Sequence, residues 1–298
     1  MRQIEKIKCA DDLPADWDDL CTSRFQRRDF LRHTEYYNPC SQRYYAVFEN
    51  GNLISGASVY TRAINLLTFL RIKSPWPIHI VGIPCSVSCP GIIGDPAVYS
   101  DLFTRLTGAE KGFLLALNLE GPFKSELFTS GNTLPAIILD RLPDSWESYT
   151  ASLRYPYRRR LQKIERCNGN VTLSSSPCAS FSEEMHRQYY AVFHRSDVKL
   201  ELLNKDFFTN LPEDFRLVAL RAGTKLIGWD IAVAYNNCYY FFFGGIDYKL
   251  NRHYATYLSI LANIIREGIE RKMQRIDLGQ TAEIPTLRFG GAVCYRYM

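Results

Sequence analysis

No stretch of the 298 residues approaches the roughly 18 consecutive apolar residues of a membrane-spanning helix. Met1 to Asp12 is charged and lacks the apolar core of a secretory leader. The chain is therefore read as soluble and cytoplasmic. Its nine cysteines are odd in number and scattered, and only Cys85 and Cys89 lie close together. That is no disulfide framework, so reduced thiols are expected. No second Cys or His pair accompanies the first, so no metal is expected. There is no Gly-x-Ser-x-Gly elbow, no Walker loop, no His-Glu-x-x-His and no Gly-x-Gly-x-x-Gly fingerprint. Hydrolase, NTPase, zinc protease and dehydrogenase chemistries have no residues to rest on.

What is present is aromatic and mildly basic: 19 Tyr, 17 Phe and a formal charge of +5. The length suits two domains. One or two short helices are expected within Asp16–His33. Strands are expected at Arg43–Phe48 and Leu53–Thr61, joined by the hairpin signal Asn50-Gly51. Pro75–Pro96 reads as loop or irregular strand, Tyr99–Leu106 as helix, and Phe113–Leu119 and Pro135–Leu139 as strands. Ser145–Cys167 reads as helix, stopped by Asn168-Gly169. The Ser-rich Thr172–Ser182 leads into a helix at Glu183–His194. Strands follow at Phe215–Arg221, Lys225–Tyr235 and Cys238–Ile246. From His253 onward Tyr254, Tyr257, Leu258, Leu261, Ile264, Ile265 and Ile269 share one helical face. Gly268 lies on that face, where it lets the helix approach a sheet, and Arg275–Leu278 is the last core strand. The halves have similar layouts without residue-level identity, which points to duplication of a unit.

One segment concentrates charge. Arg154, Arg158, Arg159, Arg160, Lys163 and Arg166 oppose the single acid Glu165. Arg159, Lys163 and Arg166 share a helix face at i, i+4, i+7. This is either a phosphate or polyanion clamp or a solvated face. Tyr155 and Tyr157 interleave with the cations and suit base stacking.

Several motifs resemble the GNAT superfamily of N-acetyltransferases. They are Trp229; Gly244-Gly245-Ile246-Asp247 with Tyr248; Asp277-Leu278-Gly279-Gln280-Thr281-Ala282; and Leu287-Arg288-Phe289-Gly290. With the basic run, they are most similar to the double-domain branch: Fem-like aminoacyltransferases and related envelope or exopolysaccharide acyltransferase-like proteins. The resemblance is specific from about Arg154 onward. It implies an α/β fold of two tandem GNAT-like (acyl-CoA N-acyltransferase) units, each a mixed sheet flanked by helices. Residues 1–145 would form a degenerate N-terminal unit, 146–170 a basic connecting helix and 171–298 the C-terminal unit, with Met298 falling inside the expected closing hairpin.

The resemblance further implies transfer of an acyl group from acyl-CoA or aminoacyl-tRNA to an amine on a small molecule or glycan precursor. The alternative is a non-catalytic module that binds a polyanion or glycan precursor. Ile246, Arg252, His253, Tyr254 and Ala255 would hold the donor, although Ala255 and Tyr257 replace glycines of the usual pyrophosphate loop. A further departure is Pro285-Thr286, where relatives often carry a basic residue. Asp230, Asp247, Tyr248 and Glu283 would do proton work. Asp230 also reads as half of an ion pair, Asp247 as the cap of the next turn, and the tyrosines as core. Trp229, Gln280, Arg288, Arg159, Lys163 and Arg166 would contact substrate. No covalent intermediate is expected, since only Cys238 and Cys294 flank the site.

Overall fold

The computed structural model describes residues 2–62, 77–85, 88–167, 169–196, 201–280 and 283–298. The chain forms two compact units, Met1–Pro135 with Tyr295–Met298, and Ala136–Cys294. No described helix is long and apolar enough to cross a membrane.

Unit 1 begins with β1 (Arg2–Ile7), a polar strand without an expected counterpart. Short 3-10 turns within Ala10–Gln26 lead to α1 (Arg28–Tyr37). β2 (Arg43–Glu49) and β3 (Asn52–Arg62) form the expected hairpin, with Asn50 and Gly51 both at positive φ. β4 (Ile78–Val81) and β5 (Ile92–Gly94) lie within the stretch read as loop or irregular strand, which is only partly within the described residues. Its prolines bracket these strands rather than interrupt them, so the ladder loses no donor. α2 (Tyr99–Ala109) and β6 (Phe113–Ala116) complete the unit. The sheet order is β1-β2-β3-β4-β6, with β5 added beside β3 and β4 parallel to β6.

Unit 2 opens with β7 (Ala136–Asp140), which lies before the boundary read from the sequence yet pairs in the second sheet. The single helix expected over Ser145–Cys167 is two, α3 (Trp146–Ser152) and α4 (Tyr155–Cys167). Leu153 between them is extended, and Pro156 stands in the first turn of α4, where its missing N–H costs no helical bond. Tyr149, Leu153, Leu161 and Ile164 are buried in this unit's core, so these helices belong to unit 2. β8 (Val171–Pro177), where Ser and Thr suggested only an entry loop, is the edge strand. α5 (Glu183–Arg195), α6 (Lys205–Thr209), β9 (Arg216–Ala222), β10 (Lys225–Tyr235) and β11 (Cys238–Ile246) follow. The helix expected from His253 is divided into α7 (Tyr248–Tyr254) and α8 (Thr256–Glu270). β12 (Arg275–Asp277), α9 (Glu283–Leu287) and β13 (Ala292–Cys294) end the unit. The order is β13-β7-β12-β11-β10-β9-β8, with β11 and β12 parallel.

Both units thus repeat an antiparallel hairpin followed by a parallel pair bridged by a helix. In unit 2 that helix, α8, buries Ile260, Leu261, Ile264, Ile265 and Ile269 against the sheet. Gly268 allows the approach, since a Cβ there would sit 2.6 Å from Cδ1 of Ile276.

Candidate functional site

The parallel pair of unit 2 is short. β11 and β12 are in register only at Cys238/Arg275, Tyr239/Ile276 and Tyr240/Asp277. Beyond that point the chain after β12 turns to β7: Leu278 N–H donates to Ile137 O and Ile137 N–H to Gly279 O, both at 2.9 Å. β11 runs on through Phe241 to Ile246 with β10 on one side and, among the described residues, no strand on the other. This leaves an edge of β11 that no described strand covers, along which an extended ligand can lie. Among the described residues, unit 1 shows no such open edge on its parallel pair. Its parallel pair is matched over the whole of β4, and Leu117 N–H closes the end on Val81 O at 2.9 Å.

Asp247 stands at the end of the open edge. It is half-buried, its Oδ1 caps α7 by accepting from Lys249 N at 2.8 Å, and Lys225 Nζ lies 3.7 Å from Oδ2. Tyr248 follows, with the Arg195 guanidinium 3.8 Å from its ring centroid. Burial raises the Tyr248 phenol above its ordinary value, opposed by Arg195. Tyr257 is raised further, first by burial and then by Tyr248. Both rings therefore keep their protons at neutral pH.

The donor loop is built differently from the glycine-rich pattern. Ala255 sits between α7 and α8 at φ 50°, ψ 37°, the left-handed conformation a glycine would supply. Asn251 Oδ1 accepts from Tyr257 N at 3.0 Å and so occupies one of the orphan amides of the α8 N-terminus. The open edge fits an extended donor arm. The loop does not fit a pyrophosphate in the usual way, because a Cβ and a side-chain acceptor stand where it would approach. A β-carbon in this conformation costs about 1 kcal/mol. Ala255→Gly is expected to raise the thermal midpoint of unit 2 by about 2–4 °C, read by calorimetry; an unchanged or lowered midpoint would show that the strain is absorbed elsewhere.

Other expected residues fall in different places. Ile246 is buried, Tyr254 half-buried, and Arg252 and His253 are exposed on α7. Gln280 is half-buried beside the turn after β12, and Arg288 is exposed after α9. Glu283 opens α9; its side chain lies outside the described residues, as do Thr281 and Ala282. Arg159, Lys163 and Arg166 are exposed on α4, while Leu161 and Ile164 of that helix are buried.

Trp229 does not reach a cleft. It is 0% exposed, donates Nε1–H to Met185 O at 3.0 Å, and packs against Phe181 and Phe208. Gly245 lies over it, with space for no Cβ: one would fall 2.3 Å from Nε1. Strand alternation then turns Asp230 to the opposite face, which carries Gly228 beneath Thr256 and Ile260 of α8.

Asp230 is likewise 0% exposed, and neither carboxyl oxygen has a hydrogen-bond partner. Desolvation pushes its carboxyl well above the ordinary range, the Glu267 charge adds to the rise, and Arg216 opposes it. The expected ion pair is made instead by Arg216 and Glu267, at 2.9 Å, with Tyr239 and Asn263 also on the Glu267 carboxylate. No local pattern signals this cluster, because Glu267 falls among the apolar positions of α8. Cys238 is buried and its thiol is pushed up to about 12 by desolvation, so it carries no thiolate for nucleophilic attack. Among the described residues no group of three or more His, Cys, Asp or Glu is placed to hold a metal.

Residues 151–288 match the family described as acetyltransferase (GNAT) domain. No curated protein matches the chain. Among solved structures, FemX is similar at 10% identity and TM-score 0.56, over 89% of this chain and 88% of that one. The structure described as L-PGS from Bacillus licheniformis is similar at 9% identity and TM-score 0.54, over 90% and 85%. A tandem GNAT protein from the clavulanic acid biosynthesis pathway is similar at 11% identity and TM-score 0.52, over 99% and 97%. At these identities the likeness is one of fold.

Proposed function

Because this chain carries a GNAT domain within the fold of the double-domain GNAT branch, we propose that its second unit is an N-acyltransferase. It moves an acyl or aminoacyl group from acyl-CoA or aminoacyl-tRNA to an amine on a small molecule or an envelope or polysaccharide precursor. The observation that carries this reading is the open edge of β11 from Phe241 to Ile246, which has no counterpart among the described residues of unit 1. A donor arm laid along that edge is held by backbone groups, and a backbone amide there polarises the reacting carbonyl. Asp247, at the end of the edge, takes the amine proton, and Tyr248, kept protonated by burial, gives one to the leaving group. With Cys238 protonated, the amine attacks directly.

Asp247→Asn keeps an acceptor for the α7 cap and removes the base. It is expected to lower kcat by about 100-fold or more with an unchanged thermal midpoint; wild-type turnover would remove Asp247 from the site.

A second reading, a polyanion- or glycan-binding module without turnover, is favoured by Ala255 and by the Asn251 side chain in the donor loop. Calorimetric titration with acetyl-CoA, a longer acyl-CoA and desulfo-CoA separates the two. Micromolar binding supports a thioester donor. No binding to any of them excludes coenzyme A and leaves aminoacyl-tRNA or the non-catalytic reading.

A further inference from the structure

The cations of α4 are kept at a cost. Arg158, Arg159 and Arg160 lie toward the positive end of the helix dipole, and no acid occupies the first turn to offset them. Arg159 and Lys163 are like charges at i, i+4, a destabilising spacing. Glu165, the only acid on the helix, is turned to Arg266 at 3.4 Å. Among the described residues, Arg154, Arg159, Arg160 and Lys163 have no carboxylate partner, and Arg166 bonds only the Gln162 carbonyl. Helix α7 packs against α4. It adds Lys249 and Arg252, both exposed and likewise unpaired, and the exposed His253. The apolar side of α4 is spent on the core through Leu161 and Ile164. What remains outward is a cationic surface with one exposed ring at its end, Tyr155, 67% exposed.

We infer that the α4–α7 face docks on an anionic bilayer surface. Single-stranded nucleic acid is gripped by a charged groove with successive stacking rings. Here the cations project from helix surfaces, and Tyr157 packs toward the core, which leaves Tyr155 alone. A bilayer asks less: several cations within a Debye length of a negative plane, each contributing about 1 kcal/mol, equivalent to about fivefold in partitioning. An amphipathic ring such as Tyr155 suits the headgroup level. α7 starts at the end of the open β11 edge, so docking by this face brings the reaction end to the membrane, where an amine acceptor can be presented from the lipid side.

The test is flotation of the intact chain with vesicles of phosphatidylcholine alone or with phosphatidylglycerol added. Binding is expected only to the anionic vesicles and is expected to fall with salt. Replacing Arg159, Lys163 and Arg166 together by Ala should weaken it on the order of 100-fold. Replacing Arg159 and Arg166 by Lys should preserve it, because a charged plane reads charge, whereas a forked phosphate site reads guanidinium geometry. Equal binding to neutral vesicles, an undiminished triple-Ala variant, or binding to single-stranded RNA without binding to vesicles would each overturn the inference. The readout needs neither donor nor turnover, so failure of the acyltransferase reading leaves it intact, and the reverse also holds.

Discussion

Asp230→Leu is expected to stabilise unit 2 by about 2 kcal/mol at pH 4, and by more as the pH rises. The carboxyl is fully buried in the layer between β10 and α8, and neither oxygen is hydrogen-bonded. Leaving such groups unmade costs about 1–3 kcal/mol, which an apolar side chain of similar volume removes. The pH dependence has a definite sign. Burial first, then Glu267, holds the folded carboxyl well above its unfolded value, with Arg216 in opposition. Below the unfolded value both states hold the proton. As the pH rises the unfolded chain ionises while the folded chain does not, so the wild type loses about 1.4 kcal/mol per pH unit until the folded carboxyl itself titrates. The gap between variant and wild type should therefore widen at that slope above about pH 4. Urea unfolding of both proteins, with hydrogen exchange followed on β10, reads it directly. A gap constant from pH 4 to 7 would mean that the carboxyl is charged or paired in solution. Turnover adds a second readout. A variant that gains stability and loses activity places Asp230 in service of the reaction, since residues that strain a fold are retained where function needs them.

Much of this architecture is legible in the residues, and the exceptions have physical causes. The helical face from Tyr254 to Ile269 and the close approach at Gly268 follow from spacing alone, because an apolar stripe with one small residue has few other uses. The break at Ala255 does not, since alanine is the best helix former and its left-handed conformation is set by the turn out of α7. β1 and β8 escape detection because edge strands have little to bury and read as polar loops. The site divides in the same way. Asp247 at the end of β11 is visible in sequence as the residue closing an aromatic strand. The opposite facing of Trp229 and Asp230 is also visible, as alternation, but which face is open to ligand is decided by α5, α6 and α8, which no local pattern reports. The Arg216–Glu267 pair brings together residues from β9 and α8 and has no sequence signature.

Unit 1 should respond to acid in the opposite sense, and here the group responsible is Glu110. Strands β1 and β2 meet at its carboxylate. Arg43 of β2 forks onto it at 2.7 Å through both Nε and Nη2, Lys6 of β1 reaches Oε1 at 3.0 Å, and Tyr45 donates to the same oxygen. Arg43 also donates to Nδ1 of His79 on β4 at 2.7 Å, a nitrogen shared with the Thr61 hydroxyl of β3 at 3.1 Å. Because Arg43 can only donate, Nδ1 accepts, and Nε2 is left to donate to Lys111 O at 3.1 Å. Burial pushes the Glu110 carboxyl up, but the hydrogen bonds from Arg43, Tyr45 and Lys6 outweigh it and hold it at about 2. A lowered carboxylate contributes stability that is present above its unfolded value, near 4.5, and is lost as the pH falls toward about 2. The full shift is worth about 3 kcal/mol; with Lys6 in solvent and partly screened, about 2 kcal/mol is expected. Glu110→Gln keeps the shape, removes the charge and strands Arg43 among buried neighbours. It should lower the stability of unit 1 by that amount or more at pH 7 and abolish the loss between pH 4.5 and 2. Thermal unfolding of both proteins across that range decides the matter. An unchanged midpoint at pH 7 would mean that the network contributes register rather than stability, and a surviving acid transition would assign it to another carboxylate.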